Sequence, residues 1–136
     1  MFVKKSFATA LFTIGLSLPL FAHAELVIKN NTKEFSTSRI NDGYCSSEIL
    51  GDDGVTKPGD TKKVDNGRLF FACRDNLEDC KADVYMTNNC TGDLITTVIF
   101  SFWTGIKSAT PPKNGYSISF NGFYVELSGG PNNPKN

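Results

Sequence analysis

Short apolar segments separated by turn clusters constrain the fold of this chain more than any other feature. From residue 26 to residue 128 the apolar segments are brief, and Gly, Pro, Asn and Asp interrupt them repeatedly. These residues favour turns because they tolerate positive φ, fix φ or hydrogen-bond to their own backbone. About seven or eight short strands at this spacing, without a helix, are typical of an antiparallel β-sandwich. The clearest turn clusters are Gly51-Asp52-Asp53-Gly54, Pro58-Gly59-Asp60, Asp65-Asn66-Gly67 and Pro111-Pro112.

The positions of the individual strands follow from these turn clusters. The longest apolar run, residues 94–103, is rich in β-branched residues, which favours a central strand over a buried helix. Lys62 and Lys63 beside Val64 are typical of an edge strand, where charge discourages further pairing. The other predicted strands cover residues 26–28, 35–40, 61–64, 68–73 and 80–86.

A β-hairpin is predicted near the C-terminus. Asn121-Gly122 is the preferred pair for a type I′ turn, because both central positions of that turn need positive φ. Side chains alternate along a strand, so one face of the hairpin is expected to be apolar and the other polar. The predicted pairs on the apolar face are Phe120 with Phe123, Ile118 with Val125 and Tyr116 with Leu127.

The first 24 residues have the layout of a Sec-type secretory signal. Lys4 and Lys5 precede an uncharged apolar stretch at residues 7–21, and Ala22-His23-Ala24 provides an A-x-A cleavage site. The apolar stretch is shorter than the roughly 20 residues that span a bilayer, so a membrane anchor is not expected. Cleavage after Ala24 predicts a secreted or periplasmic protein, with one β-sandwich domain at residues 25–128 and a flexible tail at residues 129–136.

Export predicts that the four cysteines form disulfides, because the compartments outside the cytoplasm are oxidising. Four cysteines allow three pairings. The favoured pairing is Cys73–Cys80 with Cys45–Cys90, and Cys45–Cys73 with Cys80–Cys90 is an alternative that the sequence leaves open. The spacings of 28, 7 and 10 positions lack the C-x2-C signature of a zinc site, so no metal is expected there.

Removal of the signal would leave no histidine, since His23 is the single one in the chain. Ser-His-Asp and Cys-His mechanisms both need an imidazole base, and catalytic zinc sites usually need imidazole ligands. We therefore expect a non-catalytic binding protein without a cofactor. The mature chain would carry 12 basic and 14 acidic residues, a net charge of −2 that argues against nucleic acid as a partner.

Aromatic residues are the best candidates for a binding surface. Trp103 follows the longest predicted strand, and Tyr124 lies on the polar face of the predicted hairpin. Exposed aromatic side chains commonly anchor protein or glycan partners. Phe100 and Phe102 are expected in the core instead.

Two groups of acidic residues suggest rivals to the binding protein, namely a glycan hydrolase and a calcium-binding loop. Asp75, Glu78, Asp79 and Asp83 could supply a carboxylate pair for glycan hydrolysis, with Asp79 and Asp83 as candidates, although a solvated loop is favoured. Gly51-Asp52-Asp53-Gly54 with Asp60 lacks the ligand spacing of a calcium loop, so a plain turn is favoured there. Apart from the acidic residues, a structural protein that assembles through its edge strands is a further alternative to the binding protein.

Four stretches of the chain resemble small exported, cysteine-containing proteins of Legionella-like intracellular bacteria. They are Ala82-Asp83-Val84-Tyr85-Met86-Thr87-Asn88-Asn89-Cys90-Thr91-Gly92, Thr104-Gly105-Ile106-Lys107-Ser108, and the closing Ser117-Ile118 with Ser128-Gly129-Gly130. The similarity covers most of the chain after residue 24. It implies export and small size and carries no activity, cofactor or site residue. A secreted factor that acts on a host or on the cell envelope fits this resemblance.

Overall fold

The structure is a computed structural model that describes residues 25–132. The predicted signal at residues 1–24 and the last four residues of the predicted tail lie outside the described residues. Within them, eight strands form two four-stranded sheets, which confirms the predicted β-sandwich. The strands are β1 (Leu26–Thr32), β2 (Thr37–Ile40), β3 (Thr61–Val64), β4 (Cys80–Tyr85), β5 (Leu94–Ser101), β6 (Gly105–Ala109), β7 (Tyr116–Asn121) and β8 (Tyr124–Gly129).

The first sheet has the strand order β3-β1-β8-β7 and the second has the order β2-β4-β5-β6. The run that follows Leu94 is a central strand, and β3 with its two lysines is an edge strand, as the sequence predicts. One pair departs from the expected antiparallel pattern, because β1 and β8 run parallel. A short hairpin turn forces antiparallel neighbours, but no turn joins the first strand to the last, so nothing local sets their relative direction.

The described residues contain two short helices and one 3₁₀ helix, whereas the sequence predicts no helix. These are α1 (Ser46–Leu50), the 3₁₀ helix Gly51–Gly54 and α2 (Asn66–Cys73). The predicted strand at residues 68–73 is therefore wrong. Asp65 caps α2, since its Oδ1 atom accepts a hydrogen bond of 2.9 Å from the backbone N–H of Arg68. Leu69 and Cys73, four positions apart, bury one face of that helix.

The C-terminal hairpin forms one position later than predicted. Its two-residue turn is Gly122-Phe123, and Asn121 pairs with Tyr124. All three predicted pairs are therefore wrong, because Phe120 pairs with Val125, Ile118 with Leu127 and Tyr116 with Gly129. Gly122 has φ +60° and Phe123 has no positive φ, a combination that suits a type II′ turn rather than type I′. The register shifts by two residues in total, so Tyr116, Ile118, Val125 and Leu127 stay on the inner face. Phe120, which was expected on that face, is 38% exposed.

The two disulfides connect the short helices α1 and α2 to the β-sandwich. Cys45–Cys90 links the start of α1 to the β4–β5 loop, and Cys73–Cys80 links the end of α2 to the start of β4. This is the pairing that the sequence favours. All four cysteines are buried. The disulfides therefore hold both helices against the sheets.

The space between the sheets is packed incompletely. Inward-facing side chains of β4, β5 and β8, among them Val84, Val98, Phe100 and Leu127, form the core. They also line an apolar cavity of about 120 Å³.

Ordered pairing at the C-terminus extends beyond the predicted domain end at residue 128. Strand β8 includes Gly129, and the backbone N–H of Gly130 donates to the carbonyl of Gly115 at 3.0 Å. The beginning of the predicted flexible tail is thus part of the first sheet.

We expect the Cys45–Cys90 disulfide to stabilise the fold more than Cys73–Cys80. The two bridges close sequence separations of 45 and 7 residues. From loop-closure entropy, the double variant Cys45→Ala with Cys90→Ala should lose about 4 kcal/mol of unfolding free energy. The double variant Cys73→Ala with Cys80→Ala should lose about 2.5 kcal/mol. Urea denaturation of the two double variants measures both values. A larger loss for the shorter loop would contradict the expectation.

Candidate functional site

Exposed aromatic rings gather at one end of the sandwich. Five of the eight large hydrophobic side chains that are exposed in the described part of the chain belong to α2, the β5–β6 turn or the β7–β8 hairpin. We call this set the aromatic end: Phe70, Phe71, Trp103, Phe120 and Tyr124. Trp103 is 48% exposed and Tyr124 is 38% exposed, so both predicted binding residues present surface to solvent.

The backbone brings the two turns of this end together. The N–H of Ile106, just after the β5–β6 turn, donates to the carbonyl of Gly122 at 2.8 Å. Gly105 has φ +102°, and a Cβ atom there would lie 2.6 Å from the Gly122 carbonyl oxygen. Only glycine allows this approach, because any side chain would collide with the neighbouring backbone. The turns that carry Trp103 and Tyr124 are therefore adjacent.

Phe102 connects α2 to the β5–β6 turn. Its ring centroid lies 5.6 Å from that of Phe70 and 4.8 Å from that of Trp103, and both pairs are close to perpendicular. Aromatic rings prefer this edge-to-face geometry. Phe102 itself is buried, as the sequence predicts for it and for Phe100. The exposed rings thus rest on a buried one.

The same region is held by hydrogen bonds of the main chain. The N–H of Phe102 donates to the carbonyl of Leu77 at 2.8 Å, and that of Trp103 donates to the Ser101 hydroxyl at 3.0 Å. Leu77 lies in the loop that the Cys73–Cys80 disulfide closes. The position of the rings is therefore set by the backbone as well as by ring contacts.

Tyr124 presents its ring and uses its hydroxyl within the protein. The hydroxyl donates to Oε1 of Glu126 at 2.8 Å. This hydrogen bond to a carboxylate raises the pKa of Tyr124 above its ordinary value, because ionisation would lose the bond and place two negative charges side by side.

Charged side chains border the aromatic end. The Arg74 guanidinium carbon lies 4.4 Å from the centroid of the Phe71 ring, within the range of a cation–π contact. Lys107 forms an ion pair with Asp79 at 2.6 Å. An apolar centre with a charged border is the usual anatomy of a protein–protein interface.

Sequence reasoning missed Phe70 and Phe71 as surface residues, because it assigned them to a strand. The signal that could have found them is the Asp65 cap followed by Leu69 and Cys73 at helical spacing. That spacing buries the two residues and turns the phenylalanines outward.

The two candidate carboxylates are each bonded to a different side chain. Asp79 forms an ion pair with Lys107 at 2.6 Å, and Asp83 accepts a hydrogen bond of 2.7 Å from the Thr97 hydroxyl. Asp79 lies in a bend before β4, whereas Asp83 lies within that strand.

Asp53, from the other acidic stretch, is paired as well, with Arg68 at 3.0 Å and with Lys62 at 3.8 Å. Residues 25–132 hold no group of three or more His, Cys, Asp or Glu side chains that could bind a metal ion. No helix within the same residues has the length and apolar character that crossing a membrane requires.

A protein-family model described as the type II secretion substrate NttC matches residues 1–129. The chain belongs to the NttC family. The crystal structure of the Legionella pneumophila type II secretion system substrate NttC is similar to this chain, with a TM-score of 0.64 and 27% sequence identity. The match covers 79% of this chain and 99% of that one. No curated protein matches.

Membership of the NttC family agrees with the export expected from the sequence and narrows the resemblance to one family. The family's description names a secretion substrate and no ligand or reaction. What the site binds therefore depends on the chemistry of this chain's own residues.

We expect Gly105→Ala to destabilise the aromatic end. The substituted residue would have positive φ and its methyl group would meet the Gly122 backbone. The matched control is Gly59→Ala, where φ is +82° and no atom lies within 4 Å of the new Cβ. Backbone strain alone should lower the free energy of unfolding by about 1 kcal/mol in Gly59→Ala. Strain together with overpacking should lower it by about 2–4 kcal/mol in Gly105→Ala. Equal losses in chemical denaturation would show that the two turns do not touch.

Glu126→Gln should lower the pKa of Tyr124 toward the ordinary tyrosine value. The substitution removes the carboxylate that raises it. Tyr116 serves as an internal control, because burial is the main cause of its own raised pKa. Titration of the tyrosine ring carbons by NMR measures both groups. An unchanged Tyr124 titration would mean that the Glu126 hydrogen bond is absent in solution.

Proposed function

We propose that this NttC-family protein is a secreted, non-catalytic binding protein that contacts a protein of a host or of the cell envelope through its aromatic end. The observation that carries the proposal is the concentration of exposed rings at one end of the sandwich. Large exposed apolar patches on soluble proteins mark interaction surfaces, because their exposure to water is unfavourable.

The aromatic end is also preorganised for binding. Phe102 supports Phe70 and Trp103 from beneath, and the Gly105–Gly122 contact holds the two turns together. A surface that is already ordered loses less conformational entropy when it binds. Trp103, near the centre of these contacts, is the residue type most often found as an energetic anchor of interfaces.

A protein partner fits this surface better than a glycan. Phe70, Phe71 and Phe120 supply no hydrogen-bonding groups, and the hydroxyl of Tyr124 is already bonded to Glu126. Sugar hydroxyls need polar partners when they leave water, since an unpaired hydroxyl is costly to bury. The charged border at Arg74 and Lys107 supplies the polar rim that protein interfaces use.

The absence of catalysis is part of the proposal. Residues 25–132 contain no histidine. Asp79 and Asp83 are each bonded to another side chain, Lys107 and Thr97 respectively. We expect no turnover of a glycan panel, and turnover that Asp79→Asn abolishes would replace this proposal with a hydrolase.

Export by a type II secretion system is likewise proposed for this chain. It is supported by the family match and by the signal-like residues 1–24, whose cleavage after Ala24 remains a prediction. Retention of the protein inside cells that lack the secretion channel would support the route.

The binding test compares Trp103→Ala with Phe35→Ala. Both residues are exposed aromatics, and Phe35 lies before β2 at the opposite end of the sandwich. The disulfide-bonded protein is crosslinked to host-surface and envelope fractions, and the affinity of each captured partner is then measured. We expect Trp103→Ala to weaken binding by about 30-fold or more and Phe35→Ala to leave it unchanged.

Thermal unfolding is the control for this test. The Trp103 ring is half exposed, and its contact with Phe102 is worth about 0.5–1.5 kcal/mol, so the melting temperature should fall by only a few degrees. A partner that Trp103→Ala binds as well as the parent would contradict the proposed surface. Trp103-dependent binding to a glycan array would replace the protein partner with a glycan.

A further inference from the structure

A cleft open to solvent lies at the end of the sandwich opposite the aromatic end, where β5 begins rather than finishes. Its volume is about 260 Å³, and at roughly 30 Å³ for each water molecule of the liquid this is room for one sugar ring. We call it the Phe35 cleft, after the exposed ring in its wall. Its lining includes Phe35, Ser47, Asp52, Val55, Lys57 and Asn88.

An antiparallel bridge places Phe35 beside Lys57. The backbone N–H groups of Ser36 and Thr56 each donate to the carbonyl of the other residue at 2.9 Å. Because the bridge is antiparallel, the residue before Ser36 lies opposite the residue after Thr56. Ser36 and Thr56 are buried, and side chains alternate along an extended chain, so Phe35 and Lys57 both face solvent. The ring and the ammonium group therefore share one wall.

The hydroxyl of Thr37 positions the wall that carries Asn88. Its Oγ1 atom donates to the carbonyl of Thr87 at 2.9 Å and accepts from the N–H of Cys90 at 2.9 Å. Thr37 is buried in β2, and the other two residues flank Asn88 in the β4–β5 loop. These two hydrogen bonds hold that loop against the strand that follows Phe35.

The remaining wall is tied to the same loop by covalent and hydrogen bonds. The Cys45–Cys90 disulfide joins the β4–β5 loop to the start of α1. The hydroxyl of Ser46, the first residue of α1, donates to the carbonyl of Gly54 at 2.6 Å. Gly54 ends the 3₁₀ helix that carries Asp52. The cleft is therefore ordered before a ligand arrives, which lowers the entropy lost on binding.

Three polar side chains of the cleft have no partner within residues 25–132. Asp52 and Lys57 form no ion pair or side-chain hydrogen bond there, and neither does the amide of Asn88 form a hydrogen bond. A carboxylate accepts hydrogen bonds, an ammonium group donates them and an amide does both. Phe35 is 40% exposed and adds an apolar surface to these groups.

From this combination, we infer that the Phe35 cleft binds a neutral sugar ring of a glycan. The C–H groups on one face of a pyranose ring can pack on Phe35. The sugar hydroxyls need donors and acceptors when they leave water, and Asp52, Lys57 and Asn88 provide both. The charges of Asp52 and Lys57 cancel, so the cleft favours an uncharged sugar.

This site is separate from the aromatic end and does not rest on the function proposed there. The exposed phenylalanines of the aromatic end have no polar groups, and the hydroxyl of Tyr124 is already bonded to Glu126. The Phe35 cleft combines one ring with three uncommitted polar side chains. The two ends of the sandwich thus suit different ligands.

The test follows the backbone amide NMR signals of the isotopically labelled, disulfide-bonded protein during titration with lactose, cellobiose, chitobiose and mannobiose. These disaccharides present different neutral sugars, and sorbitol presents hydroxyls without a ring. We expect at least one disaccharide to give saturable shifts around residues 35, 51–57 and 88, with a dissociation constant of about 1 mM or tighter. Sorbitol should bind about tenfold or more weakly. An array of host and bacterial glycans then distinguishes the two sources of the sugar.

Variants with matched controls locate the sugar. Phe35→Ala should weaken binding of the selected disaccharide about tenfold or more, whereas Phe35→Tyr should retain it because the ring remains. The control is Tyr44→Ala, since Tyr44 is 73% exposed and lies outside the cleft. Asp52→Ala should weaken binding about tenfold. Its control is Asp60→Ala, an exposed carboxylate outside the cleft, and neither control should change binding.

Several results would overturn the inference. They are no saturable shift with any of the four disaccharides, equal affinity for sorbitol, an array on which only charged glycans bind, or undiminished binding in folded Phe35→Ala. Trp103→Ala should leave sugar binding unchanged, and its loss would move the sugar to the aromatic end. Failure of the protein-partner test with intact sugar binding would reject only the function proposed for that end.

Discussion

The parallel pairing of β1 with β8 is the contact on which the rest of the sandwich depends. It joins the first described strand to the last and places both in the interior of the first sheet. β3 and β7 then attach at the two sides, each through an antiparallel ladder. Because this pairing spans almost the whole described chain, its loop entropy must be offset by contacts that form only when both ends are present.

Helix α2 lies between the cavity and the aromatic end. Its buried side places Leu69 and Ala72 beside the cavity, and its exposed side presents Phe70 and Phe71 at the aromatic end. The Cys73–Cys80 disulfide ties the end of the helix to β4. One short element, held by a cap at one end and a disulfide at the other, thus completes both surfaces.

Membership of the NttC family agrees with export, but the family's description names no ligand or reaction. The aromatic end is an outward-facing group of rings, whereas the cavity is an apolar space between the two sheets.

Residue patterns alone were sufficient to predict the β-sandwich, the central position of β5 and the edge position of β3. They also predicted the burial of Phe100 and Phe102. Alternation and turn chemistry act over a few residues, so they can be read directly from the chain. The same patterns assigned α2 to a strand, because Leu69, Phe70 and Phe71 have strand preferences that the Asp65 cap and the burial of Cys73 override. They also placed the hairpin turn one position early, since Asn121-Gly122 satisfies the type I′ preference.

For the candidate site, the sequence identified Trp103 and Tyr124 as aromatic residues near strand ends. The contact between the turns that carry them, the exposure of Phe70 and Phe71, the parallel β1–β8 pair and the cavity between the sheets were decided only by the tertiary structure. Each of these depends on residues far apart in the chain approaching within a few ångströms, as Gly105 and Gly122 do. Local preference carries no information about such approaches, because the packing of whole sheets determines them.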